Sequence, residues 1–354
     1  MRIVLWLTLF VLLLLSAGAL PAPEREEDVG RAIPLQISRS KTPSSSSKGY
    51  EHPWYQFLSV ALFIGYNLQS FFYELSTTTS DIVINFCPQN QTADSTQCFN
   101  PSQSSTYKKI NDHVASDSVA FDAYWETTEF PTDKRSDIAE HGMTGVVGAG
   151  WPSLSRYGLP SFWMNALKTE AKRMFGIFIS HDGIDRTLRV GGQLNSSECD
   201  LSTMQWHSLS SLSYWQIPIE GYAYGKLQKK WRQQAVIDTG SGWIGVPGNY
   251  LIEMMNRNNV SFDRSVGAYT IDCRRALALP VLELTINDKK YEIFPSAYVD
   301  RRNPLENGMC VVNLKNSRSS AFGAEWTLGF PFLQSYCTSY DYDNKRIGIA
   351  SNLF

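Results

Sequence analysis

From Pro53 onward, apolar positions come in short runs separated by turn residues. Val60–Ile64, Asp81–Phe86 and Val281–Ile286 are rich in β-branched and aromatic side chains, and Gly, Pro, Asn and Ser lie between such runs. This texture predicts strands, because a strand sends successive side chains to opposite faces and favours residues branched at Cβ. Helical candidates are few and short: Ser161–Lys172, which follows Pro160, and Tyr250–Arg257. The fold class expected is all-β.

Two stretches at the start of the chain depart from this pattern. Arg2 precedes an apolar run, Ile3–Leu15, that only Thr8 interrupts; Ala17-Gly18-Ala19 then offers a small-residue cleavage site. Residues 1–19 read as a signal peptide cut after Ala19. The run falls short of the roughly 20 residues that span a bilayer, and no second one follows, so no membrane partner is expected. The destination implied is secreted or extracellular, with the lysosome as the other end of that route. Residues 20–52 combine the acidic cluster Glu24, Glu26, Glu27 and Asp28 with recurring prolines and the Ser44–Ser47 tract. Such a stretch cannot bury a core and reads as a pro-segment or linker.

An internal repeat organises the remainder. Ser76-Thr77-Thr78-Thr79-Ser80-Asp81-Ile82-Val83-Ile84 lines up with Asp238-Thr239-Gly240-Ser241-Gly242-Trp243-Ile244-Gly245-Val246 at an offset of 162 residues. Further along each half, Val146-Val147-Gly148 matches Thr327-Leu328-Gly329. Two copies of one β lobe, residues 53–190 and 191–354, with a cleft between them, are the expected architecture.

Composition narrows the function classes. The 354 residues are 43% apolar, 13% aromatic and 19% charged, as in a folded chain, and the net charge of -2 gives no electrostatic case for nucleic acid. A monomer is expected. Removal of the leader leaves Cys87, Cys98, Cys199, Cys273, Cys310 and Cys337. An even count in a secreted chain suggests three disulfides, for which composition alone allows 15 connectivities. Asn90, Asn195 and Asn259 each stand two residues before Ser or Thr and are glycosylation candidates. The five histidines show no metal-binding spacing and no cysteines form a CxxC pair, so neither a metal nor another cofactor is expected. The basic cluster Lys229-Lys230-Trp231-Arg232 reads as a solvated hairpin.

Val236-Ile237-Asp238-Thr239-Gly240-Ser241-Gly242-Trp243-Ile244-Gly245-Val246-Pro247 is similar to the active-site loop of pepsin-like aspartic peptidases. Phe99–Ser102 with Ser104–Tyr107 resembles that family's FNPSxSST segment, and Thr144–Gly150 resembles its DGILGLG stretch. Tyr214–Ile217, Leu279-Pro280, and Leu328-Gly329 with Phe332-Leu333 fall where the family has its YWQI, LP and LG..FL elements. The resemblance covers nearly all of residues 55–354 and implies a bilobal fold with a peptide-binding cleft. It also implies disulfides Cys87–Cys98 and Cys273–Cys310, which leaves Cys199 and Cys337 as the third pair. Arg31-Ala32-Ile33-Pro34-Leu35 resembles the start of the family's pro-segments.

The family hydrolyses peptide bonds with two carboxyl groups, one per lobe, that share a proton. The ionised one takes a proton from the attacking water and the protonated one gives its own to the carbonyl oxygen. Asp238, supported by Thr239, Gly240 and Ser241, matches this pattern in the second lobe. In the first, Ile64-Gly65 and Gln69 fix the register and put Ser76 at the aspartate position, with Thr77 kept and Thr78 in place of glycine. A hydroxyl is no substitute for a proton-exchanging acid. Glu74 shares Ser76's face of the strand about 7 Å away, and Asp81 lies beyond the turn, so neither is expected to share a proton with Asp238. The flap tyrosine falls at Phe121, or at Tyr124 if the hairpin register is shifted; the tryptophan that partners it falls at Val83. The leading expectation is a non-proteolytic member that binds a peptide or protein ligand in the cleft. An aspartic endopeptidase with residual activity through Asp238, and a secreted structural or recognition glycoprotein, are the other two readings.

Overall fold

A computed structural model describes residues 29–39, 56–87, 98–132, 144–317 and 323–354. The leader, most of the 20–52 segment and the Asn90 sequon lie outside the described residues. The chain is mostly strand, as its texture predicts. The two expected helices form at Phe162–Lys168 and Gly248–Arg257. The first starts where Ser161 accepts a hydrogen bond from the Met164 N–H, which satisfies one of the donors a helix start leaves open.

An eight-stranded sheet holds the first half. Gln56–Ile64 and Gln69–Ser76 pair antiparallel across a turn in which Gly65 takes φ 79°, a conformation glycine adopts without strain. On Gln69–Ser76 the side chains of Phe71, Tyr73 and Leu75 are buried, while Ser70 and Phe72 face out and Glu74 is half-buried. Gly145–Gly148 runs parallel beside it, with Ser76 opposite Gly148. A seven-stranded sheet in the second half repeats this device: Leu227–Ile237 runs parallel to Trp326–Leu328, with Ile237 opposite Leu328. In both halves a short strand then pairs antiparallel with the second member, Ile82–Ile84 in one and Ile244–Val246 in the other. The match of Val146–Gly148 with Thr327–Gly329 is therefore also a match of strand pairing.

A third sheet takes strands from both sides of residue 190. Its order is Arg31–Pro34, Arg186–Val190, Met174–Ile179, Tyr336–Asp341, Arg346–Asn352 and Cys199–Ser208. Met174–Ile179 is buried at every position, as a central strand covered on both faces should be. The segment that resembles a pro-segment start supplies the edge strand, with Ile33 and Leu35 in the main core. Arg31 pairs with Glu170 and with Asp122, each at 2.7 Å. The disulfides are Cys87–Cys98 and Cys273–Cys310, which the resemblance implies, and Cys199–Cys337, the pair those two leave. No described helix is long and apolar enough to cross a membrane.

Candidate active site

The two strand ends that carry residues 76 and 238 meet at the centre of the molecule. Asp238 N–H donates to the Leu328 carbonyl at 3.1 Å, and Ala149 N–H donates to the Ser76 carbonyl at 2.7 Å. Gly148 and Gly329 underlie these loops. A Cβ on Gly148 would lie 2.5 Å from Ser80 backbone, and one on Gly329 would lie 2.3 Å from the Ser241 carbonyl, so only glycine fits.

Thr77 and Thr239 lock the loops together. Thr77 N–H donates to Thr239 Oγ1 at 3.1 Å, and Thr239 N–H donates to Thr77 Oγ1 at 3.2 Å. Each hydroxyl then donates to a carbonyl of the opposite lobe: Thr77 to Ile237 at 2.8 Å, and Thr239 to Leu75. Both threonines are buried, so every one of these bonds replaces a hydration that the core cannot supply.

Asp238 is held in the geometry its motif suggests. Ser241 Oγ donates to Oδ2 at 2.6 Å and the Gly240 N–H donates to Oδ1 at 3.0 Å. Burial raises the carboxyl above its ordinary pKa, and these two donors oppose that shift. Tyr340 is fully buried and stacked on Phe175; burial pushes its phenol up, the hydrogen bond from Thr338 opposes this, and the Asp238 charge adds to the rise.

Ser76 does not face Asp238 as a bonded partner. Its Oγ lies 3.1 Å from Thr78 Oγ1 and accepts weakly from the Thr78 N–H at 3.4 Å, so the hydroxyl closes its own turn. Asp81 is also committed elsewhere, as expected: Ser155 Oγ donates to it at 2.6 Å and the Arg156 N–H at 2.9 Å. Glu74 approaches the same glycine as Asp238. A Cβ built on Gly240 would sit 2.3 Å from Glu74 Oε1 and 3.4 Å from Asp238 Oδ1. Both carboxyl groups therefore border the space that the missing side chain of Gly240 leaves open. The glutamate side chain thus reaches from the strand Gln69–Ser76 to a glycine of the second lobe.

The flap positions are packed differently from a lid over a cleft. Phe121 is 2% exposed and lies against Trp163, with ring centroids 5.1 Å apart, so it forms core. Tyr124 packs on Phe162 at 5.6 Å and hydrogen-bonds Glu126, which Asn165 also contacts. Val83 packs on Val146 in a small apolar cluster. The hairpin tip at Asp122, with φ 49°, is held by Arg31. Two supports escaped the sequence reading of the site: Trp215 Nε1–H and the Tyr342 hydroxyl both donate to the Ala149 carbonyl, at 2.8 and 2.7 Å. Both rings are buried aromatics, and no local pattern marks which backbone group such a ring will meet.

Asn195 accepts from the N–H and hydroxyl of Ser197 within its turn, and Asn259 is exposed with φ 53°. Lys229, Lys230, Trp231 and Arg232 are exposed on the outer part of the strand Leu227–Ile237. Among the described residues no cluster of His, Cys, Asp and Glu is arranged to hold a metal ion.

Residues 59–352 match the family model described as eukaryotic aspartyl protease. The chain is 27% identical over 221 residues to Aspartic protease 17 of Caenorhabditis elegans, covering 61% of this chain and 56% of that protein. It is 27% identical over 317 residues to gastricsin of Macaca fuscata fuscata, covering 81% and 82%. It is 24% identical over 275 residues to embryonic pepsinogen of Gallus gallus, covering 72% and 69%. Several of the relatives, including the nematode ones, are thus spanned over little more than half their own length.

Proposed function

Because the chain belongs to the eukaryotic aspartyl protease family, we propose that it binds a peptide or an extended protein segment over Asp238 and has lost the family's two-aspartate hydrolysis. The observation that carries this reading is Ser76, which stands at the first aspartate position with its hydroxyl turned to Thr78. A serine at that place neither holds nor releases a proton in the acid range. The framework around it is intact: the paired threonines, the crowded glycines and the bonded Asp238 all remain. Such a frame keeps the shape that receives an extended backbone. The apolar leader of residues 1–19 and the sequons support a secretory route for the protein.

The test uses a statine-containing peptide, whose hydroxyl mimics the tetrahedral carbon of the reaction, with affinity measured by calorimetry. Wild type and Ser76→Ala should bind it equally within about twofold, and Asp238→Asn should bind at least about tenfold more weakly, as expected for loss of a charged hydrogen-bond acceptor. Equal binding by the Asp238→Asn variant would remove the cleft from the account. Loss of peptide turnover in Ser76→Ala would restore residue 76 as a reacting group.

A further inference from the structure

We propose that Glu74 supplies the second carboxyl group of this site and forms with Asp238 an acid pair that holds one proton between them. The inference deepens the peptide-binding reading, since it concerns the same cleft and assigns its chemistry. The argument begins with the repeat. At the offset of 162 residues the mate of Glu74 is Val236, an apolar buried residue two places before Asp238. The first lobe thus lacks an acid at 76 and carries one at 74, where its counterpart has none. Period-two alternation puts residues 74 and 76 on one face of the strand Gln69–Ser76. A carboxyl placed two residues earlier, on a side chain one methylene longer than aspartate, still projects toward the second lobe.

The structure carries it there. Glu74 Oε1 and Asp238 Oδ1 both crowd the point where a Cβ of residue 240 would stand, and only glycine at that position admits them together. Asp238 is bonded by the Ser241 hydroxyl and the Gly240 N–H, and its charge reaches Tyr340. Two carboxylates brought together in a half-buried site repel, so the pair gives up its protons in two separated steps. Between those steps one carboxyl is ionised and the other neutral. That state has the parts for acid-range peptide hydrolysis. The ionised group takes a proton from water as the water oxygen bonds to the peptide carbonyl carbon, and the neutral group gives its proton to the carbonyl oxygen. The resulting diol collapses to a carboxylic acid as the C–N bond breaks and a proton passes to the leaving amine, with no oxidant or reductant involved.

The experiment that tests the pair needs no ligand. Carboxyl 13C signals of the whole protein, labelled at Asp and Glu, are followed with pH in wild type, Glu74→Gln and Asp238→Asn. The pair predicts that Asp238→Asn lowers the Glu74 midpoint by about one pH unit or more, and that Glu74→Gln shifts the Asp238 curve in return. Glu74 titrating at the same midpoint in wild type and Asp238→Asn would overturn the inference. Cleavage of a peptide library near pH 4 is the second readout. Turnover should fall at least about 100-fold in Glu74→Gln and in Asp238→Asn and persist in Ser76→Ala; turnover that survives Glu74→Gln overturns the assignment. Peptide binding can fail while the coupled titration stands, or the reverse, so the two proposals fail separately.

Discussion

Thr77 and Thr239 each donate a backbone N–H to the other's hydroxyl, at 3.1 and 3.2 Å, across a sequence separation of 162 residues. This reciprocal bond makes the two lobes one rigid floor beneath Asp238. It also gives Thr77 a role beside Ser76: to hold backbone, not to move protons.

Thr239→Val should therefore act as a stability variant. It keeps the shape but strips the buried Thr77 N–H and Leu75 carbonyl of their partner, at a cost of roughly 2–4 kcal/mol. Thr77→Val should cost a similar amount. Because both variants break one network, the double variant should lose less than the two singles added together. Thermal denaturation of the three proteins checks this, and strict additivity would contradict the shared lock.

Phe121→Ala distinguishes a core side chain from a flap. A phenylalanine 2% exposed and packed on Trp163 should cost about 3–5 kcal/mol on truncation. Affinity for the statine peptide should stay within a few-fold of wild type. An unchanged melting temperature with a large loss of affinity would place Phe121 over the cleft after all.

His207 gives the fold an acid limit of its own. It is buried, 2.7 Å from the Tyr291 hydroxyl, and Asn287 contacts its other nitrogen at 3.0 Å. Burial first, and Lys289 second, hold its pKa down at about 4. Above the unfolded value of about 6.5 neither state is protonated, so nothing is lost. As pH falls from 6.5 to 4 the unfolded chain takes up a proton that the folded one refuses, and stability should drop by roughly 3 kcal/mol. Below 4 this loss levels off. His207→Gln should flatten the pH dependence of the melting temperature across that window, and an identical slope would assign the effect elsewhere.

If Glu74 pairs with Asp238 as proposed, an aspartate built at residue 76 needs Glu74 removed as well. Ser76→Asp with Thr78→Gly alone would set a third carboxyl beside Glu74 and Asp238, where like charges oppose one another. Adding Glu74→Val copies the second lobe, whose equivalent residue is Val236. The triple variant should cleave peptides near pH 4 at least about tenfold faster than the double variant, as relief of one like-charge contact would allow. No difference between them would mean that Glu74 does not crowd the rebuilt aspartate.

Much of this was legible from residue patterns because the governing forces are local. Strand texture, the two short helices and the glycine-rich loop all follow from backbone preferences, and the lobe repeat shows in their order. What escaped depends on contacts between distant parts. Glu74 looked remote because the gap is closed by a side chain meeting a glycine of the other lobe. Phe121 looked like a lid because its packing partner, Trp163, lies on a helix far along the chain. Arg31–Pro34 read as part of a removable segment, yet it forms the edge of a sheet whose other strands begin at Met174.

That sheet has a consequence for biosynthesis. Its edge strand, Arg31–Pro34, is made well before the neighbour it pairs with, Arg186–Val190, and before Arg346–Asn352. Each lobe can begin to fold during translation, whereas the sheet that joins them needs strands made in both halves. Loss of Arg346–Asn352 would leave Cys199–Ser208 without its neighbour in that sheet, while Met174–Ile179 would still pair with Tyr336–Asp341.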